Sequence, residues 1–213
     1  VCFGGIDEFF AALAANGPEH ALVYQATGSP LDRAPGLRPI TIDVAHAEET
    51  GHDVSAMFNG WPATYADIEA GLTFVRNLSE DVASELLDDK LNFAVILGAS
   101  GLGKTTAARQ ILHRLRSRGF DAFEHKGDHT LQVKWWLDVA SNIKVEGKRA
   151  ILFVDDAHHH LSEVNALADG LNATANTNLK LLLTSARNHW GPRVKSPSLY
   201  RQGREFPVTK LSG

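Results

Sequence analysis

One glycine-rich stretch near the middle of the chain restricts the fold more than any other feature. It follows the pattern G-x-x-x-x-G-K-[ST] and consists of Gly98, Ala99, Ser100, Gly101, Leu102, Gly103, Lys104 and Thr105. The apolar run at residues 92–97 predicts a buried strand before it, and the spacing at residues 106–115 predicts an amphipathic helix after it. A strand, a glycine-rich loop and a helix in this order form the setting in which such a pattern binds phosphate.

The chemistry of this glycine-rich loop suits the phosphates of a nucleotide. A helix N-terminus offers free N–H groups and a partial positive charge, and glycine lets the backbone come close to a phosphate. Lys104 is long enough to reach the β- and γ-phosphates, and the Thr105 hydroxyl is an oxygen ligand of the kind that Mg²⁺ prefers. We therefore expect ATP and Mg²⁺ to bind at residues 98–106, with Thr106 as the last residue of the site. The alternative is a glycine-rich turn that matches the pattern by chance.

A second motif lies at residues 150–156, where an apolar run ends in Asp155 and Asp156. It predicts a buried strand whose carboxylates emerge at the C-terminal end, where ligands of open α/β sheets bind. Asp155 is expected to hold Mg²⁺ through water, beside Thr105. Asp156 takes the place of the acid that orients the attacking water in many ATPases with both motifs. Asp156 and Lys104 are therefore predicted catalytic residues.

A third buried strand is predicted at residues 179–187, and it ends in polar side chains. In ATPases with an additional strand of this kind, this position carries residues that sense the γ-phosphate. Thr184 or Ser185 is expected to contact the attacking water. Arg187 is the third predicted catalytic residue, because a guanidinium there would stabilise charge on the transferring phosphoryl group. The alternative for Arg187 is a surface arginine after a core strand.

Histidines and tryptophans near these motifs leave alternatives open. His158, His159 and His160 follow the second motif directly and could indicate a metal site. Consecutive helical residues point about 100° apart, however, so they do not converge on one ion. We expect a helix start near the active site, with one histidine approaching the γ-phosphate or a neighbouring subunit. Trp135 and Trp136 could stack on a ligand or belong to the core or an interface.

The segment before the first core strand offers a place for the base. A helix is predicted at residues 78–91, and a helix in this position commonly packs beside the adenine in ATPases with the glycine-rich motif. Val75, Arg76 and Asn77 precede this helix and are expected to border the adenine. The alternative for Arg76 is a solvated linker residue.

The remaining predictions for this part of the chain are a strand at 121–125, helices at 130–145 and 162–171, a loop at 190–197 and an edge strand at 205–209.

The N-terminal part of the chain has a pattern of its own. A helix is predicted at residues 7–15, strands at 21–25 and 40–44, and a second helix at 47–58. The breaker residues at 59–62 then mark a boundary. We expect residues 1–61 to be the tail of an upstream α/β domain with its linker, and residues 62–213 to be the core with both motifs. Because the chain starts at Val1 and ends at Gly213 without a stop signal, we expect a fragment of a longer protein.

Composition excludes some functions and favours one compartment. The formal net charge is −4 and no long basic run is present, which argues against nucleic acid as a partner. The single cysteine, Cys2, permits no internal disulfide and fits a reducing cytoplasm. No apolar run approaches the roughly 20 residues that a membrane-spanning helix needs. We therefore expect a cytoplasmic protein without a membrane partner.

Together, the three motifs and the C-terminal stretch from Phe206 to Ser212 resemble the STAND branch of AAA+-like ATPases over roughly residues 62–213. The resemblance implies an α/β, three-layer P-loop NTPase core with a parallel sheet, preceded here by a partial small α/β segment. It also implies an ATP-driven switch that controls an attached effector domain through homo-oligomerisation and responds to a trigger ligand, as in bacterial defence and antiviral signalling proteins. No Glu follows Asp155, which predicts slow hydrolysis, and the lid and C-terminal sensor are expected to be missing from this chain.

Other functions remain open on the sequence alone. The first is a nucleotide-dependent interaction scaffold with negligible turnover. The second is a DNA-handling ATPase of the AAA+ class, which would need a basic channel that a net charge of −4 does not favour. The third is a small-molecule kinase, for which no acceptor-binding lid is recognisable.

Overall fold

The glycine-rich loop lies at the C-terminal end of one strand of a largely parallel sheet. The computed structural model describes residues 41–43, 60–127 and 129–209. In these residues the strands are β1 (Thr41–Asp43), β2 (Phe93–Leu97), β3 (Phe120–His125), β4 (Arg149–Val154), β5 (Leu179–Ser185) and β6 (Gly203–Pro207). The helices are α1 (Tyr65–Glu69), α2 (Asn77–Leu87), α3 (Lys104–Arg116), α4 (Val133–Val145), α5 (Leu161–Ala173) and α6 (Pro197–Gln202). Short 3₁₀ turns cover Ala157–His160, Arg187–His189 and Pro192–Val194.

The described strands form one sheet in the order β1-β3-β4-β5-β2-β6. Strands β2 to β6 run parallel, and β1 pairs antiparallel with β3 at the edge of the sheet. Strand β5 lies between β2, which leads into the glycine-rich loop, and β4, which carries the second motif. This inserted strand is the additional strand that the sequence predicts. Every residue of β2 and β5 is buried, as expected for parallel strands covered on both faces.

Helices cover both faces of the sheet. On one face, α1, α2 and α3 contribute to a core that includes Tyr65, Leu86 and Ile111 together with strand residues such as Ile151. On the other face α4 packs against α5 and the sheet, and the ring of Trp136 lies 5.7 Å from that of Phe123. This arrangement confirms the predicted three-layer α/β fold with a parallel sheet.

Trp135 and Trp136 are core residues. Only 3% and 1% of their surfaces are exposed, and their rings meet edge to face with centroids 4.9 Å apart. An edge-to-face pair of this kind stabilises a core beyond the area that it buries. The structure thus agrees with the core alternative and leaves neither ring free to stack on a ligand.

Helix α6 is a correction to the sequence analysis, which predicted a loop at 190–197 and no helix after it. Ser196 accepts a hydrogen bond from the N–H of Leu199 at 3.3 Å, and Pro197 occupies the first turn. Serine as N-cap and proline just inside the helix are a recognisable start signal. The helix has six residues, which is too short for a hydrophobic period to reveal it.

The described residues belong to the compact unit Pro39–Gly213. Residues 41–43, predicted as part of the upstream region, add strand β1 to the sheet of the core. The predicted elements at 7–15, 21–25 and 47–58 lie outside the described residues. The boundary at residue 61 stays a prediction.

The junction between α6 and β6 supports a stability prediction. A Cβ atom on Gly203 would overlap the backbone carbonyl oxygen of Leu199, which cannot move without distorting α6. We expect Gly203→Ala to lower the free energy of unfolding by about 1–3 kcal/mol, the usual penalty of overpacking. Gly191→Ala is the matched control, because a Cβ there meets nothing within 4 Å. Urea denaturation of both variants measures the difference, and equal midpoints would contradict the prediction.

Candidate active site

The glycine-rich loop connects β2 to α3 and needs glycine at two positions. Gly101 and Gly103 have φ angles of 76° and 78°, in the left-handed region that residues with a Cβ atom rarely adopt. Gly103 is the residue directly before α3. The curve that these two residues produce leads the backbone into the helix, so that the first N–H groups of α3 can face a phosphate.

Lys104 is the first residue of α3, and its side chain folds back over the loop. Only 9% of the residue is exposed, and the Nζ atom donates a hydrogen bond to the carbonyl oxygen of Ala99 at 3.2 Å. The ammonium group therefore lies inside the curve of the loop. This is the position from which a lysine can meet the β- and γ-phosphates of a nucleotide.

Three side chains join the start of α3 to the ends of β4 and β5. The hydroxyl of Thr105 donates a hydrogen bond to Asp155 Oδ2 at 2.9 Å. The hydroxyl of Thr184 donates to Asp155 Oδ1 and accepts from the backbone N–H of Asp156, the latter at 2.9 Å. Thr184 is fully buried. The residues predicted to hold Mg²⁺, Thr105 and Asp155, are thus in direct contact.

The donor atoms at this point fit Mg²⁺. They are a hydroxyl and a carboxylate, hard oxygen ligands of the type that this ion selects, and Mg²⁺ usually keeps several waters. Thr105 would supply a direct ligand, and Asp155 would hold the ion through water. In the described part of the chain, no cluster of three or more His, Cys, Asp or Glu side chains is arranged for a metal.

Asp156 has an unusual backbone conformation. Its φ and ψ angles are 42° and 49°, a left-handed conformation that is uncommon for a residue other than glycine, although aspartate and asparagine tolerate it best. Its N–H group is fixed by Thr184, and its side chain is exposed. Strain of this type persists where the surrounding structure enforces it, and it clusters at functional sites. The backbone thus aims the Asp156 carboxylate into solvent at the end of β4.

The carboxylates of Asp155 and Asp156 line an open cleft of about 420 Å³. The cleft continues along the end of β3, where Lys126 and Gly127 contribute to its wall. His160 closes one side, and its Nε2 atom lies 3.1 Å from the carbonyl oxygen of Gly127. Both aspartates therefore open onto a cleft that solvent can enter.

Arg187 follows β5 and begins a 3₁₀ turn. Its side chain is exposed and forms no hydrogen bond or ion pair within residues 60–127 and 129–209. The arginine is therefore available at the end of the strand that carries Thr184 and Ser185. Its predicted contact with the γ-phosphate stays a prediction.

Ser185 is buried, and its hydroxyl donates to the carbonyl oxygen of Ala186 at 3.2 Å. Of the two polar residues at the end of β5, Thr184 is therefore the one that contacts Asp155.

Arg76 contacts the glycine-rich loop directly. Its Nη2 atom donates to the carbonyl oxygen of Leu102 at 2.9 Å, and its Nη1 atom donates to that of Thr209 at 3.0 Å. These contacts argue against a merely solvated linker residue. Val75 and Asn77 are exposed beside it, so the segment is open to a base. A border with adenine stays a prediction.

A buried ionic cluster lies next to the site, and sequence reasoning did not find it. Arg109 on α3 forms a two-pronged ion pair with Glu124 on β3, with N–O distances of 2.9 and 3.2 Å, and the Tyr65 hydroxyl donates to the same carboxylate. Arg109 also donates to the carbonyl oxygen of Ala63 at 2.8 Å. Burial disfavours the charge on Arg109, but the hydrogen bond and charge of Glu124 outweigh it, so the pKa of Arg109 is raised. The available signal in the sequence was an acidic residue, Glu124, inside the predicted strand at 121–125.

Comparison with solved structures finds partial matches. PCH-2 of C. elegans matches with 19% identity over 70% of this chain and 47% of that chain, at a TM-score of 0.47. The Aeropyrum pernix ORC1 protein, solved in complex with DNA, matches with 16% identity over 64% and 45%, at a TM-score of 0.46. A chain of the E. coli MS115-1 HORMA:CdnC:Trip13 complex matches with 16% identity over 70% and 65%, at a TM-score of 0.45. The chain thus covers less than two thirds of each of these three.

Other comparisons bear on family and location. A search of curated proteins gave no match. Each helix in the described residues is too short or too polar to cross a membrane.

The model of the family described as Novel STAND NTPase 5 matches residues 55–196, a range that contains the glycine-rich loop, Asp155 and β5. The chain therefore belongs to this family of STAND P-loop NTPases, and it is a nucleotide-binding NTPase module.

Proposed function

We propose that this module binds ATP with Mg²⁺ and hydrolyses it slowly. The observation that carries the proposal is the set of hydrogen bonds from Thr105 and Thr184 to Asp155. They bring two hydroxyls and a carboxylate to one point, at the N-terminus of the helix that follows the phosphate loop. Lys104, the neighbour of Thr105 at the start of this helix, is buried inside the phosphate loop, as a nucleotide site requires.

The proposed reaction is an in-line attack of water on the γ-phosphate. The N–H groups of the loop and the Lys104 ammonium bind the phosphates and neutralise charge as the bond to the leaving group breaks. Bound Mg²⁺ supplies further positive charge on the phosphate oxygens. Asp156 accepts a hydrogen bond from the attacking water, and Arg187 stabilises charge on the transferring group.

Substrate positioning completes this proposal. Residues 98–106 hold the triphosphate, and Val75, Arg76 and Asn77 border the adenine. The contacts of Arg76 with Leu102 and Thr209 support this placement, because they keep the segment close to the loop. The exposed side chains of Phe74 and Val75 offer apolar surface for a base.

We further propose that nucleotide binding acts as a switch on an attached effector domain, through homo-oligomers that form in response to a trigger ligand in the cytoplasm. The link between Arg109 and the carbonyl oxygen of Ala63 supports such coupling, because it ties the phosphate-loop helix to the segment that leads from the N-terminal region. A role in antiviral defence signalling rests on the resemblance to STAND proteins alone. Sedimentation with and without ATP tests the oligomers.

Asp156→Asn separates binding from turnover. Asparagine keeps the left-handed backbone and removes only the charge, so we expect ATP affinity to stay within about twofold while phosphate release falls about a hundredfold. The measurement is phosphate release at saturating Mg²⁺-ATP, with nucleotide affinity measured in parallel. The control is Asp138→Asn on α4, whose side chain is exposed. Unchanged turnover in Asp156→Asn would show that another group orients the water.

A second candidate function is a nucleotide-dependent scaffold with negligible turnover. It is favoured by one observation, the aspartate at position 156, whose carboxylate is one methylene shorter than that of glutamate. This candidate predicts tight binding of ATP without phosphate release in the full-length protein, whether or not its trigger is present. Release that rises with a trigger supports the switch.

A further inference from the structure

Two histidine rings stack across the ends of β4 and β5. His158 lies in the 3₁₀ turn after β4, and His189 ends the 3₁₀ turn after β5. Their ring centroids are 4.8 Å apart and the rings are nearly parallel, with an angle of 9° between them. The stack therefore joins the two loops that carry Asp156 and Arg187.

The surroundings of His158 are polar and charged. Lys104, Asp156, His159 and His189 all act electrostatically on its ring, and the ring of His159 lies 4.0 Å away. Burial, followed by the charge of His159, lowers the pKa of His158, which favours the neutral form of its imidazole. A neutral imidazole offers one N–H donor and one acceptor nitrogen.

One ring nitrogen of His158 is unsatisfied. The Nδ1 atom is buried and has no hydrogen-bond partner among the described residues. A buried polar atom without a partner is unfavourable, and in a native protein it calls for an explanation such as a ligand. The ring is also within electrostatic range of the Lys104 ammonium, which in the proposed function contacts the β- and γ-phosphates.

Simple packing explains the stack poorly. His189 is exposed, so the contact removes little apolar surface from water. Both the Lys104 ammonium and the Asp156 carboxylate act on the His158 ring, so this ring lies between the phosphate loop and the end of β4. The terminal phosphate of a nucleoside triphosphate is an anion that the proposed function brings to this place.

We propose that His158 contacts the γ-phosphate and makes this site prefer nucleoside triphosphate over diphosphate, with His189 as the positioning residue that holds the His158 ring. This inference rests on the proposed function and deepens it. A nucleoside diphosphate lacks the phosphate that the imidazole would contact. In this proposal His158 contacts the γ-phosphate, while His159 and His160 line the neighbouring cleft with Asp155 and Asp156.

The test compares the affinities for ATPγS and ADP, both with Mg²⁺, by isothermal titration calorimetry. His158→Phe keeps a flat ring on His189 and removes both ring nitrogens. We expect its affinity for ATPγS to fall about tenfold, the effect of losing one hydrogen bond to a charged group, while its affinity for ADP stays within about twofold. His113→Phe on α3 is the control for loss of a histidine, because this residue lies about 13 Å further along the helix from Lys104.

His189 has its own pair of variants. His189→Ala removes the stacking partner and should lower the preference for ATPγS over ADP, by less than the roughly tenfold expected for His158→Phe. His189→Phe restores a ring and should restore the preference. A purely structural role would change the melting temperature without changing the ratio of the two affinities, so the ratio is the decisive measurement.

The outcomes separate this inference from the proposed function. If the unaltered chain binds neither nucleotide, the proposed function is wrong and the inference falls with it. If the unaltered chain binds both and His158→Phe keeps the same ratio, or loses both ligands equally, the inference is overturned and the function stands. If His158→Phe fails to show a cooperative melt, the His189 variants decide, because equal ratios in Ala and Phe would overturn the inference.

Discussion

Replacing Lys104 by alanine is expected to lower the affinity for Mg²⁺-ATP by about a hundredfold or more. The Nζ atom lies inside the phosphate loop, and within residues 60–127 and 129–209 its hydrogen-bond partner is the carbonyl oxygen of Ala99. In the nucleotide complex it would make charge-assisted hydrogen bonds to two phosphates, and two such bonds correspond to a change of at least this size. Fluorescence titration with a labelled ATP analogue measures the loss.

The control for this prediction is Lys134→Ala. Lys134 is an exposed lysine on α4, so the variant has the same net charge as Lys104→Ala without touching the loop. The melting temperature of Lys104→Ala should stay close to that of the unaltered chain, because the hydrogen bond that the Lys104 side chain makes in the described part of the chain is to a loop carbonyl. An unchanged affinity in Lys104→Ala would refute the assignment of the loop as a nucleotide site.

Glu124→Ala is expected to be the most destabilising of the substitutions considered. It leaves the Arg109 guanidinium, which is only 19% exposed, without its counter-charge, and it removes the acceptor of the Tyr65 hydroxyl. Breaking a buried pair from one side typically destabilises a protein by about 3–5 kcal/mol. For a domain of this size, that corresponds to a fall in melting temperature of about 6–20 °C. Differential scanning calorimetry measures it directly.

The matched control is Glu80→Ala. It removes a carboxylate on α2 that is paired with Arg114, and Arg114 lies on α3 as Arg109 does. That pair has the same N–O distance of 2.9 Å, but its side chains are 42% and 55% exposed. Exposed pairs contribute about 0–1 kcal/mol, so the control should melt within a few degrees of the unaltered chain. Similar losses in both variants would show that burial of the Glu124 carboxylate has no special effect.

The sequence predicted the parts of the site that depend on local order. The glycine-rich loop, Lys104 and Thr105 follow one another in the chain, and Asp155 comes directly after the apolar run at residues 150–154. Parallel strands bring their C-terminal ends to one edge, so the meeting of Thr105 and Asp155 followed from the predicted fold. The fold class and the family are confirmed.

The long-range contacts were beyond sequence reasoning. The Arg109–Glu124 pair joins residues on different elements, and neither residue belongs to a motif. A contact of Thr184 or Ser185 with the attacking water stays a prediction. The bond between the Thr184 hydroxyl and Asp155 was not foreseen, because the register of β5 against β4 decides the direction of this side chain. The catalytic roles of Lys104, Asp156 and Arg187 stay predictions, since they require a bound nucleotide to be observed.

The inserted position of β5 has a consequence for changes in chain length. Ile96 pairs with Thr184 and Val154 pairs with Leu183, so β5 is fixed between two strands at once. A deletion of one residue inside β5 would turn Thr184 to the opposite face of the sheet and separate it from Asp155. The exposed turn at residues 116–119 carries no such constraint. Insertions and deletions that preserve nucleotide binding should therefore fall in turns of this kind and not in β5. The length of β5 then indicates a working site as well as its side chains do.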